Sequence, residues 1–242
     1  MGVLKSCSLA VLGVVAGVWT AGVSIAEERH FGTPEEAITA YIEGVKANDF
    51  DAVLATTAVD RMSKGFDFVA FAKRLNAITY STAMPTTDPF FIAINKQIYT
   101  INVARHLQYL TYSLMTNSDV LKGVTVSLAN NPTAADDIYT VVQAKRLAGL
   151  SIAKIGIPYP EDFKSDRLQV NFTKQAKIYG ADIRTERVVL LSFDGLNYMI
   201  GFSLFRYGDD WLIDDQISSL AGTDTLGTAT RMTPDDFEAL TH

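Results

Sequence analysis

A chain of 242 residues, 48% of them hydrophobic, is long enough to bury one large core or two small ones. A net charge of −6, with no cluster of Lys and Arg, excludes the electrostatic footprint of a nucleic-acid binder. The single cysteine, Cys7, lies at the first hydrophobic run, so the rest of the chain has no disulfide, thiol nucleophile or cysteine-ligated metal.

The first residues read as a targeting segment. Lys5 supplies a positive region, Leu9 to Trp19 an apolar core, and Ser24-Ile25-Ala26 a small-residue cleavage site before Glu27-Glu28. The expectation is a signal peptide over 1–26, cleaved after Ala26, and an exported, periplasmic or secreted product. Its apolar run from Ser8 to Ile25 is 18 residues, short of the ~20 that span a bilayer comfortably. No later segment reads as a membrane span, and removing 1–26 leaves 20 basic and 27 acidic residues.

Thr33-Pro34-Glu35-Glu36 is a helix start with a capping box, and Ala37, Ile38, Tyr41, Ile42 and Val45 recur on one helical stripe. Asn48-Asp49 ends that helix and opens a short second one with Phe50, Val53 and Leu54 inward. A third is predicted between Phe66 and Ile78, carrying Phe68 and Phe71. Asp88-Pro89 caps a long helix to about Met115, whose buried side is predicted at Phe91, Ile94, Ile98, Ile101, Leu107, Leu110 and Leu114, with stops at Asn117-Ser118 and Gly123. Ala134 to Leu147 reads as a further helix, and Leu150 to Ile157 as a helix end or a strand. From Leu168, alternation of Leu168, Val170 and Phe172 with Gln169, Asn171 and Thr173 predicts a half-buried strand.

The strongest pattern is a meander. Val188 to Phe193 runs into Asp194-Gly195, a primed hairpin turn, then Tyr198 to Tyr207, then Gly208-Asp209-Asp210 and Trp211 to Ile217. A polar linker from Ala221 to Thr230 and a short helix from Thr233-Pro234 finish the chain. The expected fold is therefore α+β, N-terminal helices on a C-terminal twisted antiparallel sheet. Residues 27–220 read as one domain with a helical insertion at about 85–160, and 221–242 as flexible linker plus helix.

Two blocks, Thr33 to Ala52 and Leu204 to Asp215, resemble the opening helices and closing hairpin of the nuclear transport factor 2-like superfamily. The resemblance implies a cone-shaped cavity between helices and sheet, and makes homodimerisation through the sheet an expectation. It does not fix function, because the superfamily hosts isomerases, dehydratases, adaptors and secreted binding domains. It also implies a place for a carboxylate base and tyrosine hydroxyls in the cavity, as in ketosteroid isomerase-like members.

The residues themselves carry no nucleophile elbow, phosphate loop, dinucleotide fingerprint or metal-ligand spacing, and no metal or cofactor is expected. His30 precedes the first helix, His242 is the last residue, and His106, beside Arg105 in the long helix, reads as structural rather than catalytic. Asp215 shares strand parity with Trp211 and Ile213 and so points toward the cavity, with the alternative that Asp214 and Asp215 end a strand in solvent. The candidate ligand-binding set is Tyr41, Phe68, Phe71, Tyr198, Phe202, Trp211 and Asp215. Its apolar walls favour non-catalytic binding of an apolar small molecule or lipid, or of an envelope protein partner through the insertion. The alternative is a cofactor-free isomerase, dehydratase or hydrolase using Asp215 with a tyrosine.

Overall fold

The computed structural model describes residues 30–80, 82–116 and 127–242. The targeting segment and the helix stops at Asn117-Ser118 and Gly123 lie outside the described residues. Helix α1 (Pro34–Lys46) has the capping box its sequence demands: Thr33 accepts from Glu36 N, and the Glu36 carboxylate accepts from Thr33 N. Helix α2 (Phe50–Leu54) is capped by Asp49, and α3 (Val59–Gly65) follows without a side-chain cap. Helix α4 (Phe68–Leu75) stops at Asn76, whose left-handed backbone closes the last turn.

Helix α5 (Pro89–Met115) spans the molecule, and its buried side is more polar than its aliphatic residues suggest. Asn95, His106 and Ser113 are buried with Val103, Leu110, Leu114 and Met115, whereas Ile101 is 55% exposed. Each buried polar group has a task. Asn95 accepts from Met84 N and donates to Met84 O, pinning the preceding loop, and Ser113 Oγ accepts from Ala229 N.

Helix α6 (Ala134–Val141) is shorter than expected and gives way to a 3-10 segment at Ala144–Gly149. Strand β1 (Ser151–Gly156) resolves the ambiguous stretch, so the region from 85 to 160 contributes an edge strand as well as helices. After the single turn α7 (Pro160–Phe163), the predicted strand at Leu168 is instead part of helix α8 (Asp166–Ile178). Six alternating residues mimic a strand, but Phe172 and Ala176, at i and i+4, are buried with Ile178 at the helix end, and Val170 faces solvent.

The meander forms as expected. Strands β2 (Ile183–Phe193), β3 (Leu196–Tyr207) and β4 (Asp210–Asp215) follow in antiparallel order, with β1 outside β2 and the two-residue β5 (Thr230–Arg231) sharing the β3 edge with β4. Asp194 and Gly195 both take positive φ, as a primed turn requires. The α+β architecture is therefore helices first and an antiparallel sheet last. One face of the sheet packs on α1 and α5, while Val188, Leu190 and Met199 on the other face are covered by Phe237 and Leu240 of α9 (Pro234–Thr241). Cover on both faces explains why β2 and β3 are almost continuously buried rather than half-buried. Among the described residues no helix is long and apolar enough to cross a membrane.

The segment after β4 crosses β3 at Gly201, where an added Cβ would lie 2.3 Å from Ser218 N. It is tied down by Glu186, a fully buried carboxylate that accepts from Ser218 Oγ (2.8 Å) and Leu220 N (3.0 Å) and pairs with Arg184 Nη1 (2.9 Å). Residues 221–230, read from the sequence as a flexible linker, pack here too, with Ala229 buried and Thr230 paired to Met199. Gly201→Ala should lower stability by about 1–3 kcal/mol or more, because the clash is with backbone. Urea unfolding would show it as a lower midpoint at unchanged slope.

Candidate functional site

Between α1, α3, α5 and β4 lies a cavity of about 140 Å³. Its register comes from one irregularity. Leu204 pairs with Ile213 and the next partner, Ser203, pairs with Asp215, so Asp214 is an extra residue in β4. Regular alternation would send neighbouring side chains to opposite faces. With the bulge, Asp214 and Asp215 both line the cavity, together with Gln216.

Helix α5 supplies the opposite wall. Tyr99, Asn102, Val103 and His106 stand at i, i+3, i+4 and i+7, one face of a helix, and all four line the cavity. His106 Nδ1 sits 2.9 Å from Asp215 Oδ1, and the same oxygen accepts from Gln216 N at 2.8 Å. The imidazole is 10% exposed and the Asp215 side chain 37%. Tyr41 donates to Gln216 Oε1 (2.9 Å), and Gln216 Nε2 donates to Gly227 O (2.6 Å). Gly227 takes a positive φ and approaches so closely that an added Cβ would be 3.1 Å from His106 Cδ2. The chain after β4 thus clamps histidine and glutamine together.

The two carboxyls differ in surroundings. Asp214 is mostly buried, accepts one hydrogen bond from Ser203 Oγ (3.0 Å), and has Arg184 Nε no nearer than 3.8 Å. Burial pushes its pKa up to about 7; Arg184 and the Ser203 hydroxyl oppose the rise, and Asp215 and Glu186 reinforce it. Tyr41, Tyr99, Tyr179 and Tyr207 are all held well above the usual phenol range, first by burial, and for the last three also by Asp214. These hydroxyls stay protonated and serve as donors. The Tyr99 hydroxyl is buried without a partner among the described residues, whereas Tyr207 donates to Tyr179 O. Among the described residues no cluster of His, Cys, Asp and Glu could hold a metal ion.

Of the residues singled out from sequence, the cavity brings together Tyr41 and Asp215. Phe202 is fully buried, edge-on to Tyr41 at 5.3 Å, and Tyr198 is fully buried under the Arg231 guanidinium. Phe68 and Phe71 belong to a separate aromatic cluster around Phe66 and Tyr179. Trp211 stands at the other end of β4 beneath Arg206, its backbone N–H donated to Phe31 O. The sequence reading omitted Asp214 and His106 from the site, and passed over Tyr99, Asn102, Tyr179 and Gln216. The α5 residues had a signal, a polar stripe at helical spacing; Asp214 had none, because a bulge is not written in strand parity.

No family model and no curated protein matches the chain. Among solved structures, a cystatin-like protein from Ruminococcus gnavus ATCC 29149 is similar over 82% of this chain, with a TM-score of 0.57 and 16% identity. The match spans 44% of that protein's length. At this identity the likeness is one of fold, an α+β arrangement with an antiparallel sheet.

A carboxyl with a raised folded-state pKa binds its proton more tightly in the folded chain than in the unfolded one. Between about pH 4, the unfolded value, and about pH 7, Asp214 therefore makes the protein less stable as pH rises. Asp214→Asn, which stays neutral, should flatten that part of the stability profile measured by denaturant unfolding across pH.

Proposed function

We propose that this chain is an acid–base catalyst acting on a small polar molecule that carries a carbonyl or hydroxyl group. One observation carries the reading: two adjacent carboxyls in unlike environments share a small cavity with a histidine and a buried, unpartnered tyrosine hydroxyl. A volume near 140 Å³ suits a molecule about the size of benzene. Together with its polar walls, that supports a small polar occupant over the lipid expected from the aromatic residues.

In this reading Asp215, held by His106 and by Gln216 N, takes a proton from the carbon beside a carbonyl. Asp214, protonated in part at neutral pH, and Tyr99 donate hydrogen bonds to the oxygen as negative charge develops there. Return of the proton to a different carbon completes an isomerisation. Loss of a neighbouring hydroxyl as water, with the proton held by Asp215, completes a dehydration. The pairing of a protonated acid with a tyrosine donor is that of ketosteroid isomerase in general form. A nuclear transport factor 2-like cone is supported by the two sequence blocks and by the cystatin-like neighbour, since those folds are related. Export rests on the sequence of residues 1–26 alone.

The test is deuterium exchange at the carbon next to the carbonyl in a panel of small hydroxyketones, followed by NMR in D₂O. The wild type should accelerate exchange of at least one member. Asp215→Asn should lower that rate by about 10²–10⁴-fold, and His106→Gln should lower it less. Equal rates for wild type and Asp215→Asn would remove the base from the scheme.

Partner docking is a second reading, supported by Phe90 and Ile101. They are 66% and 55% exposed and lie eleven residues apart, on one face of α5. Paired Phe90→Ser and Ile101→Ser substitutions would leave the cavity intact and should abolish any self-association seen by sedimentation. Unchanged association would locate the contact elsewhere.

A further inference from the structure

A second pocket, about 210 Å³, lies on the other side of Asp214, between α4, α8 and the sheet. Asp214 and Tyr179 line both pockets and so form a wall between them. The floor is aromatic, from Phe71 and Phe205, while Arg74, Gln175 and Arg184 supply donors from three different elements.

Both arginines keep N–H donors in reserve: Arg184 pairs with Glu186 (2.9 Å) and stands 3.8 Å from Asp214, and Arg74 bonds a neutral amide. Arg184 is 10% exposed and locked in place: its guanidinium lies over the Phe172 ring at 5.0 Å, and Nη1 donates to Glu186 Oε1. Among the described residues that is its one hydrogen bond, out of the five N–H donors a guanidinium offers. Glu186 is itself fully engaged by Ser218 and Leu220. Arg74 donates to Asn171 Oδ1 at 2.9 Å, a neutral acceptor, and has no carboxylate partner among the described residues. Against these two guanidiniums stand Glu186, paired with Arg184, and Asp214, which burial keeps partly neutral at physiological pH. With two guanidiniums against one ionised and one partly neutral carboxyl, the pocket keeps a positive balance over an apolar floor, and its spare planar donors suit a two-oxygen anion.

We propose that this pocket binds a small carboxylate with an apolar ring or short chain, the carboxylate facing Arg74 and Arg184 and the apolar part lying on Phe71 and Phe205. A cavity of about 150 Å³ holds benzene, so about 210 Å³ leaves room for one carboxylate as well. The proposal stands beside the acid–base reading of the inner cavity rather than on it. Because Asp214 belongs to both walls, an anion here is felt in the inner cavity.

Benzoate is the probe and benzamide its neutral counterpart, each titrated into the whole protein while amide, arginine Nε–H and glutamine side-chain signals are followed by NMR. Benzoate should shift Arg184 and Gln175 and bind at least about tenfold more tightly than benzamide. Arg74→Gln, at an exposed position, should keep the wild-type amide spectrum and weaken benzoate about tenfold, and Arg74→Lys should restore part of the loss. Asp215→Asn should bind benzoate as the wild type does, which separates this site from the inner one. Equal affinity for benzoate and benzamide, indifference to Arg74→Gln, or shifts confined to Asn102 and His106 would each overturn the proposal.

Discussion

The extra residue in β4 is the constraint on which the site depends. Without it, Asp215 and Ile213 would face α5 and Asp214 would turn to the opposite side of the sheet. With it, two adjacent carboxyls share a wall, and buried Asp214 cannot lose its proton as easily as an exposed aspartate. Ser203, opposite the bulge, supplies a hydroxyl that reaches Asp214. A deviation from regular pairing thus becomes a chemical difference between neighbouring side chains.

The remaining polar architecture holds that wall in position. The chain leaving β4 is fastened over Gly201 by the Glu186 carboxylate, which has a guanidinium, a hydroxyl and a backbone N–H as partners. Fully satisfied, such a buried charge fixes one arrangement; with a partner missing it would be costly. Further on, Gly227 and Ala229 bring the same segment against His106, Gln216 and Ser113. Helix α5 is therefore gripped at its polar positions rather than by its aliphatic stripe alone, which accounts for buried His106 and exposed Ile101 in one helix.

Local chemistry was well expressed in the sequence. The Thr33 capping box, the Asp49 and Asp88 caps and the Asp194-Gly195 turn form as their residues require, since each depends on atoms a few positions apart. The failure at α8 has the same locality. Over six residues a period of two and a period of 3.6 are hard to separate, and burial of Phe172 and Ala176 decided for the helix. Residues 221–230, polar and rich in Gly and Thr, read as a linker because Ser113, which holds Ala229, is distant in sequence, and nearby Gln216 is itself positioned by distant Tyr41.

The sequence by itself determined the α+β order, the helix starts, and the meander with its tight turn. These follow from periodicity and from short-range hydrogen bonding, which a linear string records. Only the tertiary structure decided that Asp214 joins Asp215, that His106 meets them, and that Tyr198 and Phe202 are core rather than cavity wall. The reason is physical. A bulge, a clamp from a distant segment and cover on both faces of a sheet are relations between elements, and their energies depend on contacts between residues widely separated along the chain.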